Sequence, residues 1–157
     1  MATVSPPRTW SYALHLPHDP RAPRIARMTS RAVLPAYGIS ELLDVTELLT
    51  SELVTNAYQH SEGPAALRLH GTDDPYGLRV SVWDSNPHIP APFDKPPCRS
   101  GDGSGPLRAV PDEADSGRGL GLVAEWAEAW GGHPLGDDLF GRGGKLLWFA
   151  LRAPEQV

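Results

Sequence analysis

The stretch Glu52-Leu53-Val54-Thr55-Asn56-Ala57-Tyr58-Gln59-His60 sets a carboxylate and a carboxamide four residues apart inside an otherwise apolar helical pattern. Residues at i and i+4 stand one turn apart on the same helix face. A polar pair beside a face that should be core is costly unless it has a partner. An acid and an amide together fit a site that handles a metal-bound phosphate. Glu52 can accept the proton of an attacking hydroxyl, and Asn56 can offer a neutral oxygen to Mg²⁺, a hard cation that prefers oxygen. Taken alone, an exposed helix acid and a helix-face amide would be the plainer reading. The weight comes from two further elements that follow in order, Val82-Trp83-Asp84-Ser85-Asn86-Pro87 and Ser116-Gly117-Arg118-Gly119-Leu120-Gly121-Leu122.

Working outward, Ser40 is placed to cap this helix, with Glu41 and Asp44 near its positive end. Leu42, Val45, Leu49, Leu53, Ala57 and His60 form its stripe, and Gly63-Pro64 stops it. Upstream, Trp10, Tyr12, Leu14 and Leu16 alternate as in a strand. Ile25, Met28, Ala32, Val33 and Ala36 recur at helical spacing over Ala22 to Tyr37, and Gly38 is a C-cap. Downstream, Ala66 to His70 and Leu78 to Asp84 read as strands joined at Asp74-Pro75-Tyr76-Gly77 into an antiparallel hairpin.

The segment 87–116 is rich in Pro, Gly, Asp and Ser with little periodicity; in a compact domain such a loop is either a lid over a ligand or a disordered insertion. Gly119 to Trp130 reads as a helix ended by Gly131-Gly132, with Trp126 and Trp130 as packing residues one turn apart. Gly144 to Leu151 is a last, central strand, with Lys145 solvated at its start. This order predicts an α/β (α+β) two-layer sandwich, with helices on one face of a mixed, mostly antiparallel sheet. A flexible tail at 1–8 precedes a single domain over 9–153.

Composition narrows the function classes. With 157 residues, 40% hydrophobic and 21% charged, the chain suits one domain with a real core. Its formal charge of −5 argues against a general nucleic-acid surface. No apolar run approaches membrane-spanning length and no signal peptide is visible, so a cytoplasmic protein is expected, with no membrane and no direct nucleic-acid partner. The lone Cys98 allows neither an intramolecular disulfide nor a cysteine metal framework.

A carboxylate at a strand end, such as Asp84, can accept a hydrogen bond from an exocyclic amine like that of adenine, although a turn-forming Asp is the commoner role. The glycines at 117, 119 and 121 let backbone approach phosphates, and free N–H groups at a helix start favour an anion. Arg118 could reach a phosphate or lie in solvent. His60, one turn beyond Asn56, either lines the site or caps the helix. Ser104 and Ser116 lack a recognisable base and orienter for nucleophilic work.

Together the three elements resemble the Bergerat-fold (GHKL) ATPases, which include gyrase, histidine kinases and anti-sigma-factor serine kinases. Glu-Leu-Val-Thr-Asn-Ala-x-x-His at 52–60 resembles the N-box, Asp84-Ser85-Asn86-Pro87 the first glycine box, and Gly117 to Leu122 the second. The short chain is most similar to stand-alone anti-sigma-factor kinases, especially the small ATP-binding regulators of actinobacteria. The resemblance implies a Bergerat ATP-binding fold, ATP and Mg²⁺ as cofactors, Glu52 as catalytic base and Asn56 as Mg²⁺ ligand. It implies a nucleotide site made of Asn56, His60, Asp84, Asn86, Gly117, Arg118, Gly119, Leu120 and Gly121, with Asp84 reading the adenine amine. A sigma factor and an anti-sigma-factor antagonist are the implied partners, and a homodimer is compatible with it. Three departures stand out: Asn86 replaces the usual glycine of the first box, Lys145 and Leu146 occupy a region that often carries Thr, and the lid is long and irregular. They leave two alternatives beside an active kinase: a nucleotide-binding module that regulates by binding alone, and a detached histidine-kinase catalytic domain.

Overall fold

The computed structural model describes residues 9–72, 77–95, 98–99, 115–136 and 143–152. Strand β1 (Ser11–Leu16) leads into helix α1 (Ala22–Ala36), a 3₁₀ turn at Ser40–Leu42 and helix α2 (Leu43–His60). Strands β2 (Ala65–Thr72) and β3 (Gly77–Asp84) follow, then the two-residue β4 (Cys98–Arg99), helix α3 (Asp115–Trp126), β5 (Ala129–Pro134) and β6 (Lys145–Arg152). The sheet order is β1-β2-β3-β6-β5-β4. The predicted two-layer α+β architecture is the one observed, with β6 central between β3 and β5.

All described ladders are antiparallel, consistent with the mostly antiparallel sheet expected, and none is the parallel pair a mixed sheet would hold. The reason lies partly in the helix count between β1 and β2. With two helices between the strands the chain reverses three times, so β2 returns beside β1 in the opposite direction. The β2–β3 hairpin forms as predicted, although its turn at 73–76 falls outside the described residues, as does most of the proposed lid.

Alternation places one row of side chains under the helices. Leu67 and Leu69 of β2, Leu78, Val80 and Val82 of β3, and Leu147, Phe149 and Leu151 of β6 meet Leu49, Leu53, Val54 and Ala57 of α2 and Leu120 and Val123 of α3 in one core. The buried edge of α1 is Ala22, Ala26, Ser30, Val33 and Leu34, rotated away from the stripe expected from periodicity. Small residues there allow α1 to lie close against α2, and the larger Ile25 and Met28 are left exposed. Arg31 completes the α1–α2 contact with a two-pronged bond to Glu47 at 2.7 and 3.1 Å.

Three local expectations change. Ser40 starts a 3₁₀ turn and makes no side-chain cap to α2. His60 is exposed at the end of α2, while Thr46 and Thr50 take buried positions in its stripe. The predicted helix over 119–130 begins earlier and ends at Trp126, which is exposed, and Trp130 belongs to β5. Gly131 and Gly132 are strand residues. A Cβ on Gly131 would meet the Trp148 indole at 2.9 Å, and one on Gly132 would meet Leu147 at 2.8 Å. These glycines admit large side chains from the neighbouring strand; they do not stop a helix.

Candidate active site

The site is assembled where α2, α3 and the ends of β3 and β6 converge. Glu52 and Asn56 project from α2 one turn apart. Glu52 is half-buried, and its carboxylate lies directly against Gly119 of α3. A Cβ built on Gly119 would sit 2.8 Å from Glu52 Cδ, and closer still to Oε2. The packing of Leu120 and Val123 holds α3 against the core beside Glu52. The N-box carboxylate and the second glycine box, 67 positions apart in the chain (119 − 52), are therefore neighbours in space.

Asn56 is 5% exposed, and its Oδ1 has no hydrogen-bond partner among the described residues. A buried amide oxygen without a donor is costly, and a hard cation is the kind of partner it suits. Its chemistry therefore fits the Mg²⁺ role implied by the motif.

Helix α3 starts at Asp115, so Gly117, Gly119 and Gly121 lie within its first two turns and not in a loop before it. The first four N–H groups of a helix have no intrahelical acceptor, and in α3 these belong to Asp115, Ser116, Gly117 and Arg118. The Arg118 side chain falls outside the described residues. Leu120 is buried in the core and acts as a packing anchor, and Gly121 is half-buried.

The base-reading end differs from expectation. Asp84 closes β3, directly opposite Lys145 in the β3–β6 ladder. Both side chains are about 1% exposed. Lys145 Nζ donates to Asp84 Oδ1 at 3.0 Å and lies 2.9 Å from Oδ2, and it also donates to the Asn86 carbonyl at 3.3 Å. Asp84 Oδ1 further accepts the Asn86 N–H at 2.8 Å. Lys145 is thus a buried partner of Asp84 and not a solvated lysine. The signal was present in the sequence: Asp84 is in phase with Leu78, Val80 and Val82, and Lys145 with Leu147, Phe149 and Leu151. Two opposite charges at the same end of two core-facing rows are expected to meet if the strands pair.

Asn86 is also engaged locally. Its Nδ2 donates to the His60 carbonyl at 2.6 Å, and its Oδ1 accepts the His88 N–H at 3.0 Å. His60 therefore contributes its backbone carbonyl to the site wall, while its ring is exposed. Ser61 and Ser85 share a hydrogen bond of 2.8 Å, and Gly63 N–H donates to Ser61 Oγ at 3.2 Å. These contacts tie the exit of α2, one turn beyond Asn56, to the exit of β3. Gly144, at φ +102°, lets the Asp84 carbonyl come against it and so sets the start of β6.

Helices over one face of an antiparallel sheet, with an acid–amide helix facing a glycine-bearing helix, define a nucleotide-binding sandwich. The family profile described as histidine kinase-like ATPase domain matches residues 16–130, and the chain belongs to that family. No curated protein matches the chain. Among the described residues, no helix is long and apolar enough to cross a membrane.

Proposed function

We propose that this protein is an ATP-dependent serine/threonine kinase of the anti-sigma-factor type, which phosphorylates an antagonist protein and holds a sigma factor. One observation carries the reading: the Glu52 carboxylate lies against Gly119 of the second glycine box, one helical turn from an Asn56 oxygen that has no partner among the described residues. Family membership supports the nucleotide part of it.

Mg-ATP, when bound, supplies the phosphoryl group and much of the charge compensation that its transfer needs. Asn56 would hold the metal through Oδ1. Glu52 would orient the substrate hydroxyl and accept its proton as the oxygen attacks. The first N–H groups of α3 would face phosphate oxygens, as helix starts do for anions. Purified protein with Mg-ATP is expected to phosphorylate a serine or threonine on an antagonist encoded nearby. Glu52→Ala should abolish transfer and leave nucleotide binding intact. Transfer by Glu52→Ala at the wild-type rate would reject the assignment of the base.

A second reading, a module that regulates by binding alone, is favoured by the local engagement of Asp84 and Asn86. Under it, Glu52→Ala would leave partner binding and phenotype unchanged.

A further inference from the structure

We propose that Lys145 makes the nucleotide site nearly indifferent to the purine base, so that recognition rests on the triphosphate and its metal. The inference rests on the nucleotide-binding reading above and specifies which nucleotides that site accepts.

A carboxylate facing position 6 selects a 6-aminopurine over a 6-oxopurine when it offers a free charged acceptor to the exocyclic amine. Asp84 offers none. Oδ1 holds the Asn86 N–H and the lysine ammonium, and Oδ2 holds the same ammonium at 2.9 Å. The ammonium in turn has three acceptors, namely both carboxylate oxygens and the Asn86 carbonyl. No proton is left over to meet a ring nitrogen or a 6-oxo group. The pair is internally matched in charge and hydrogen bonding, and neither an amine nor a carbonyl at position 6 gains an ionic partner from it.

Nor can the ligand push the lysine aside easily. Lys145 is about 1% exposed, stands opposite Asp84 in the ladder, and follows Gly144, whose backbone is pinned against the Asp84 carbonyl. Displacing its ammonium would leave a buried charge unpaired. Asn86 adds to the closure, because its amide is bound to the His60 carbonyl and the His88 N–H. By contrast, the metal end keeps an unpartnered acceptor at Asn56. Of these groups, the one whose acceptor has no partner among the described residues is Asn56, at the metal end.

A site built to bond a substrate N–H rejects an analogue lacking it by about 10⁴-fold or more. Here the expected ratio is within about tenfold. Calorimetric titration of the full chain should give Mg-ATP and Mg-GTP dissociation constants within that range. Purine riboside triphosphate, which lacks the exocyclic amine, should bind within about threefold of ATP. Lys145→Met frees the carboxylate and should raise the ATP preference over GTP at least tenfold. Wild-type preference for ATP above about 100-fold would overturn the inference while leaving the nucleotide reading intact. A folded Lys145→Met protein with an unchanged ratio would overturn the role of Lys145. If neither triphosphate binds with Mg²⁺, the nucleotide reading itself fails, and this inference with it. The amine-free triphosphate needs only the wild-type chain, so its comparison decides the point even if Lys145→Met does not fold.

Discussion

The Glu52 carboxylate occupies the space that any side chain on Gly119 would need. Three glycines in the first two turns of α3 disfavour the helix by roughly 1 kcal/mol each relative to alanine, so their presence calls for a local reason. At Gly119 the reason is the approach of the acid.

The substitution Gly119→Ala separates stability from chemistry. The colliding atoms are the far end of a flexible side chain, so Glu52 can swing away at small energetic cost. The helix gains about 1 kcal/mol of intrinsic propensity. The melting temperature should hold or rise, while phosphoryl transfer falls at least tenfold because the acid is displaced. Thermal unfolding and a transfer assay on one preparation check both signs. Unchanged transfer would mean that the position of the acid against α3 is irrelevant to turnover.

The Asp84–Lys145 pair predicts a thermodynamic cycle. Removing one partner of a buried pair costs about 3–5 kcal/mol, since the other charge is left uncompensated. Lys145→Ala should destabilise by about that amount. The double change Asp84→Asn with Lys145→Met keeps an acceptor for the Asn86 N–H and should recover most of the loss. Denaturant titration of wild type, Asp84→Asn, Lys145→Met and the double variant measures the coupling, and additive losses would show that the two groups are not energetically linked.

His70 gives the fold a pH dependence. Burial, then the nearby Arg68 and Arg79 charges, hold its pKa below the usual 6.5, and its Nδ1 has no partner among the described residues. The folded state therefore binds the proton less readily than the unfolded chain. Below pH 6.5 the unfolded state takes up more protons, so stability falls with acidification until the pH passes the lowered folded-state pKa. His70→Gln should flatten this part of the stability profile. A variant whose melting temperature drops just as steeply between about pH 7.5 and pH 5.5 (about 1 unit either side of the reference value) would place the titration elsewhere.

Much of the architecture was legible because strand alternation and helix spacing are local signals. β1, β2, β3 and β6 follow from period-two rows, and α2 from its long apolar stripe. What misled were residues whose role is set by a neighbour. Ile25 and Met28 fit a helical stripe, yet α1 uses its smaller Ala22 and Ala26 to approach α2. Gly131 and Gly132 read as a stop, yet they make room for Trp148 and Leu147 across a ladder that sequence spacing does not reveal. At the candidate site, the order of motifs singles out Glu52, Asn56, Asp84 and the glycines, and the structure brings Glu52 and Gly119 together. The occupation of Asp84 by Lys145 depended on strand register, which becomes visible only when β3 and β6 are paired.

Asn56 is the proposed metal-facing ligand of a triphosphate site. The most direct test is calorimetric titration of ATP into wild type and Asn56→Ala, each with and without Mg²⁺. We expect saturable Mg²⁺-dependent binding to wild type, and at least tenfold weaker binding to Asn56→Ala together with loss of the metal dependence. Equal, metal-dependent affinity in the two proteins, or no binding to wild type at all, would contradict it.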